Sequence, residues 1–132
     1  MVYADRETVE RLRDEYPVGA RVVLEKMEDP QAPPPGTMGT VTGVDDTGSI
    51  LVSWDNGSGL NVVYGEDRVR KMIMTDKVFR QLLAIRDTGL TNMFDSDAVQ
   101  RLAYDRGFYE LVMYIEEHRG QYARFILTGR ED

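Results

Sequence analysis

Residues 36–54 read GTMGTVTGVDDTGSILVSW, and the fold of the first half of the chain turns on this stretch. Met38–Val44 and Ser49–Trp54 are short runs rich in β-branched and aliphatic residues, the composition of strands. Between them, Asp45-Asp46-Thr47-Gly48 is a turn. Working outward, residues 21–27 have the same composition and predict a preceding strand. Residues 28–36 hold Pro30 and the run Pro33-Pro34-Pro35, so they lack amide donors at four positions and can be neither helix nor central strand. They read as a stiff, partly polyproline-like loop. On the other side, Asp55-Asn56-Gly57-Ser58-Gly59 is a second hairpin loop, residues 60–64 pair back, and residues 69–73 offer a last short strand. Ahead of all these, residues 5–16 predict a helix laid over the strands. Asp5 can cap it, Val9, Leu12 and Tyr16 recur at helical spacing, and Pro17 stops it.

From Met74 the period changes from two to 3.6. The segment MTDKVF looks like the start of a separate reading frame, with no Gly/Ser-rich spacer before it. Thr75 can cap a helix that carries Val78, Leu82 and Ile85 on one stripe and ends at Gly89. Asp95 caps a second helix through Arg106, with Val99, Leu102 and Ala103 inward and Gly107 as the stop. Residues 108–119 and 121–127 predict two more. The fold class is therefore α+β. A small five-stranded β-barrel with an N-terminal helix spans residues 1–73, and a compact domain of about four short helices spans 74–132. A barrel is expected because closure leaves few strand edges open.

The chain has 132 residues and a net charge of −7, with no cysteine. Thirteen acidic residues face eight basic ones before residue 74, and ten face eight after it. Neither half carries the basic excess on which phosphate neutralisation depends, so a nucleic-acid partner is disfavoured. No apolar run approaches the roughly 18 residues that span a bilayer, and the N-terminus has no signal-peptide core, which predicts a cytoplasmic protein without a membrane partner. The absence of cysteine removes disulfides, thiolate zinc sites and cysteine nucleophiles. Modules of about 60–70 residues bury little surface. The two are expected to pack on each other or on a second copy, with Tyr16 or Phe94 at the surface of such a homo-oligomer.

The segment GTMGTVTGV, with Gly36, Gly39, Val41 and Val44, followed by ILVSWDNG, resembles SH3-like barrels of the KOW type over residues 17–73. That resemblance implies a barrel fold; such barrels bind RNA, proteins and peptides alike. On a larger scale, YPVGARVVLEKMEDPQAPPPGTMGTVTGVDDTGSILVSWDNGSGL and MTDKVFRQLLAIRDTGLTNMFDSDAVQRLAYDRGFYELVMYIEEHRGQYARFILTG resemble two uncharacterised domain families of bacteriophages and prophages. The resemblance implies a viral or mobile-element setting, with the host cytoplasm as location, and no activity.

The catalytic inventory is thin. His118 is the only histidine and stands near a helix end, where a cation suits the helix dipole; adjacent Glu116 and Glu117 point elsewhere. The glycines Gly36, Gly39 and Gly43 lack phosphate-loop spacing. The acidic pairs Asp45-Asp46 and Glu28-Asp29 read as turn formers before they read as cation sites. No catalytic residue, metal site or cofactor is predicted. Binding features are better represented. Trp54, the only tryptophan, ends a strand beside a polar turn and is either a core anchor or a stacking platform. In the second case Asn56 and Ser58 supply directional hydrogen bonds, Tyr64 lies near, and the prolines wall the same end. In the helical half Tyr104, Tyr109, Tyr114 and Tyr122 are mostly core by spacing. Some tyrosine heads should reach a cleft, where Tyr104 could meet an anion with Arg101, Arg106 and Arg124 as the cationic contacts.

These features predict a non-catalytic phage accessory protein that binds a host or viral ligand. The leading expectation is interference with host antiviral defence, by sequestering a small anionic, nucleotide-like signal or by blocking a host protein. A virion-assembly or packaging accessory that contacts protein or nucleic acid is the alternative, and an enzyme with an unrecognised site is the third reading.

Overall fold

In a computed structural model, which describes residues 5–132, the chain divides into two compact units with the boundary between Met72 and Ile73. The first opens with helix α1, Arg6–Glu15. The Asp5 carboxylate accepts from the Thr8 amide at 2.7 Å and caps it, and Val9 and Leu12 are its buried residues. Five strands follow: β1 Ala20–Lys26, β2 Met38–Val44, β3 Ser49–Trp54, β4 Val62–Val63 and β5 Arg68–Thr75. They make one antiparallel sheet in the order β4-β3-β2-β1-β5. The β2–β3 hairpin slips register between Val41 and Gly43, the signature of a bulge. Its turn is held by Asp45, whose carboxylate accepts from the amides of Thr47 and Ser49 and from the Thr47 hydroxyl. That hydroxyl bond, ahead of the two amides, holds the Asp45 carboxyl below the usual carboxylate range.

The expected barrel is corrected to an open sheet: β4 and β5 are its two edges and do not close on each other. Two local causes are visible. Strand β4 has only two residues, because the Val63 amide donates to the Asp67 carboxylate at 2.8 Å and the Leu60 carbonyl accepts from the Trp54 indole at 2.7 Å. Groups that would lengthen the ladder are spent on side chains. Helix α1 also supplies the cover that a closing strand would otherwise give. Val9 and Leu12 join Val22, Leu24, Val41, Ile50, Val52 and Trp54 in one apolar core.

Close approach at the centre of this core needs a residue without a side chain. Gly39 on β2 pairs with Trp54 on β3 and with Val22 on β1. A Cβ at position 39 would stand 2.6 Å from Val52 Cγ1 and 2.9 Å from both the Ser53 carbonyl oxygen and Trp54 Cε3. The opposite face of β1 buries a charge. Arg21 is 1% exposed and grips Asp55 through two bonds, Nη1–Oδ1 at 2.8 Å and Nη2–Oδ2 at 2.6 Å, with Nη1 also donating to the Thr40 hydroxyl at 3.1 Å.

The second unit holds four helices: α2 Asp76–Thr88, α3 Ser96–Asp105, α4 Tyr109–Glu117 and α5 Arg119–Thr128. Thr75 and Asp95 cap α2 and α3 through the amides of Val78 and Ala98. Helix α4 has no side-chain cap of its own. The Gln81 carboxamide, from α2, accepts from the Leu111 amide at 2.9 Å and fills that role. Val78, Leu82 and Ile85 of α2 are buried, as are Val99 and Ala103 of α3 and Leu111 and Ile115 of α4. Phe79 and Phe125 meet edge to face at 6.2 Å. Two tyrosines are buried with their hydroxyls satisfied. Tyr114 donates to the Glu131 carboxylate at 2.6 Å, and Tyr122 donates to the Met93 carbonyl. Among the described residues no helix is long and apolar enough to cross a membrane.

Replacing Gly39 by Ala should overpack rigid backbone and the indole ring, lowering stability by about 1–3 kcal/mol. Urea unfolding followed by Trp54 fluorescence measures this, and an unchanged midpoint would refute the tight contact. The buried tyrosines predict an alkaline transition. Burial, and then the Asp95 charge, push the Tyr122 hydroxyl up to about 12; burial, and then the Glu131 bond, push Tyr114 higher still. A pKa raised in the folded state gives stability that is complete below the unfolded value of about 10 and lost as pH climbs through the folded value. Helix signal should therefore collapse between about pH 10 and 12, with the last tyrosinate absorbance at 295 nm appearing in the same step. Ionisation of all seven tyrosines with the helices intact would be the contrary result.

Candidate functional site

Four of the sequence-predicted site residues belong to the first unit and three to the second. In the first, Trp54 is 3% exposed and its Nε1 donates to Leu60, so both ring faces lie in protein. It is the core anchor, and the stacking-platform alternative is corrected by its burial. Asn56 accepts from the Ser58 amide at 3.0 Å, closing an Asx turn, and Ser58 Oγ accepts from the Leu60 amide at 3.4 Å. Both side chains are thus occupied in shaping the loop. Tyr64 is exposed, and its hydroxyl accepts from Arg11 at 3.0 Å, tying the α1 surface to the chain beyond β4. Of the three prolines, Pro33 is buried while Pro34 and Pro35 are exposed. Tyr16, expected at a partner surface, packs partly buried against the core of its own unit, and Phe94 is exposed.

In the second unit the structure does bring two expected residues together. Arg101 and Tyr104 line an open groove of about 480 Å³ on α3 and α4, with Asp97, Gln100, Asp105 and Val112. Arg106 caps the C-terminal end of α3 and is not part of that lining. Beside the groove, Tyr104 meets Tyr109 edge to face with centroids 5.6 Å apart. Met113 stands one turn beyond Tyr109 on α4. All three are more than half exposed, at 62%, 56% and 52% for Tyr104, Tyr109 and Met113. This is a contiguous apolar patch of the aromatic and methionine side chains that interfaces favour.

The charges around it are unequally engaged. Arg119, from the start of α5, holds Asp97 at 2.8 Å and also donates to the Ser96 hydroxyl and the Gln100 amide oxygen. Glu110 accepts from Gln81 at 2.8 Å and lies 3.3 Å from Lys77. The Gln81 bond is the main cause that holds its carboxyl below the usual range. Arg101 and Asp105 have no ion-pair partner among the described residues.

Sequence reasoning missed Tyr109, Met113 and Asp105 as surface features. The available signal was helix α4 itself, YELVMYIEE, which carries apolar residues on both its inner side, Leu111, Tyr114 and Ile115, and its outer side, Tyr109, Val112 and Met113. A helix apolar beyond its core stripe has a second surface to cover. His118 leans on the Tyr114 ring at 5.7 Å and sits 4.0 Å from Glu117, an arrangement of helix-end packing. Among the described residues, no three histidine, aspartate or glutamate side chains converge as a cation site.

No curated protein matches the chain. Residues 74–130 match the model of a domain of unknown function, DUF5049. Residues 5–72, more than half of the chain, match a second such model, and the protein belongs to that family, the domain of unknown function DUF4314.

Proposed function

We propose that this is a non-catalytic accessory protein that works by docking a protein partner on the α3–α4 face. The observation that carries the reading is the Tyr104–Tyr109 pair, joined edge to face and left in water beside Met113. Exposed tyrosines at the centre of a patch, with an arginine at its rim, are the residues that dominate binding energy when a partner excludes water from them. The phage and prophage resemblance of the sequence supplies a setting, in which such docking would block a host protein or serve virion assembly.

Sequestration of a nucleotide-like signal is less well supported by the same groove. Asp97 and Asp105 line it together with Arg101, and Arg119 beside it is already held by Asp97, so no excess of cations stands where a phosphate would sit. Trp54, the best stacking surface in the sequence, is inside the core.

Replacing Tyr104 and Tyr109 together by Ala should leave the helical spectrum and melting temperature nearly unchanged, since both side chains are exposed. The same change should weaken capture of the protein partner by about 2 kcal/mol, some thirtyfold. Calorimetric titration of the parent chain with cyclic and ADP-ribose-type nucleotides should give no binding heat. Nucleotide binding that disappears on Arg101→Ala would overturn the reading in favour of a small anionic ligand.

A further inference from the structure

The α3–α4 face carries information about what covers it. Asp97, Arg101 and Asp105 follow one another at four-residue spacing along α3 and so lie on one stripe, with Tyr104 beside it. Asp97 is engaged by Arg119. That leaves one cation and one carboxylate, Arg101 and Asp105, one helical turn or about 6 Å apart along the axis. Both are exposed, and neither has an ion-pair partner among the described residues. Next to them stand the exposed rings of Tyr104 and Tyr109 and the Met113 side chain.

A two-fold interface must be complementary to itself: if position i meets position j, then j meets i. A stripe carrying a single sign of charge fails that condition, because every pair across the axis repels. A stripe with a positive and a negative group one turn apart meets it, provided the two helices run antiparallel. We propose that this face is the two-fold interface of a homodimer. Helix α3 of one copy lies antiparallel on α3 of a second copy, Arg101 of each meets Asp105 of the other, and Tyr104, Tyr109 and Met113 close over their counterparts beside the two ion pairs. The groove bounded by Gln100, Arg101 and Val112 receives the facing tyrosine. The inference rests on the reading of this face as a protein-docking surface and names its occupant.

The pairing pattern makes a distinctive experiment possible with the whole chain. Sedimentation velocity over a concentration series should show a monomer–dimer equilibrium for the parent protein. Arg101→Glu sets two carboxylates against each other across each pair, and Asp105→Arg sets two guanidinium groups, so each variant alone should associate at least roughly tenfold more weakly. An equimolar mixture of the two should dimerise again, because each pair is then made of opposite charges, and so should the R101E/D105R double variant. Tyr109→Ala should weaken association without altering the charges, and circular dichroism melts verify that every variant is folded. A parent chain that stays monomeric at all concentrations overturns the proposal. So does a dimer that is indifferent to Arg101→Glu, or a mixture that associates no better than its components. If the parent is monomeric yet a different protein is captured through Tyr104 and Tyr109, the homodimer falls and the docking function stands.

Discussion

The indole of Trp54 and the bare backbone of Gly39 occupy paired positions on β3 and β2, and the first unit is arranged around their contact. With a hydrogen in place of a side chain, the strand can come close enough for the ring to lie over it. The indole then reaches the Leu60 carbonyl, which fixes the return of the chain toward β4 and brings Val62 opposite Ile50. Because strand side chains alternate, placing Trp54 inward turns Asp55 to the other face. There it meets Arg21, which alternation on β1 has turned outward from the core that holds Val22. One register therefore seats the largest apolar side chain and partners the one buried charge of the core strands. Removing the acid would leave a guanidinium at 1% exposure without its carboxylate, though still bonded to the Thr40 hydroxyl. Because Asp55 is itself 42% exposed, the loss should fall below the roughly 3–5 kcal/mol of a fully buried pair.

Much of this was legible in the sequence. The strands Met38–Val44 and Ser49–Trp54 and the turn between them follow from local composition, and the helix starts after Asp5, Thr75 and Asp95 follow from side chains that cap within three residues. Closure was not legible. Strand-like segments and glycine turns do not reveal that the Asp67 carboxylate takes the Val63 amide, or that the Leu60 carbonyl is bound by an indole six residues back. The start of α4 was also hidden, since Phe108 makes no cap and the carboxamide that replaces one comes from Gln81, on another helix.

The candidate site divides in the same way. Arg101 and Tyr104 are neighbours by helical spacing alone, and the structure keeps them together. Their partner Tyr109 was hidden because Tyr109, Tyr114 and Tyr122 are the same residue at similar spacings. Which ones are buried depends on the packing of one helix on another: Tyr114 and Tyr122 turn inward to Glu131 and Met93, while Tyr109 turns out to Tyr104. Trp54 could be read as core or platform from its neighbours, and the deciding contact with Gly39 lies fifteen residues away in sequence.

The two units thus differ in what they leave exposed: the first encloses its most adhesive side chain, and the second presents a patch of aromatic and methionine side chains to water. Hydroxyl-radical footprinting of the dilute chain, read residue by residue by mass spectrometry, measures that difference directly. Tyr104, Tyr109 and Met113 should oxidise early, while Trp54, Tyr114 and Tyr122 stay protected despite the high intrinsic reactivity of tryptophan. Oxidation of Trp54 at the rate of Tyr104 in the folded protein would contradict the enclosure of Trp54 in the core, and protection of Tyr104, Tyr109 and Met113 in the dilute chain would contradict the exposure of the α3–α4 patch.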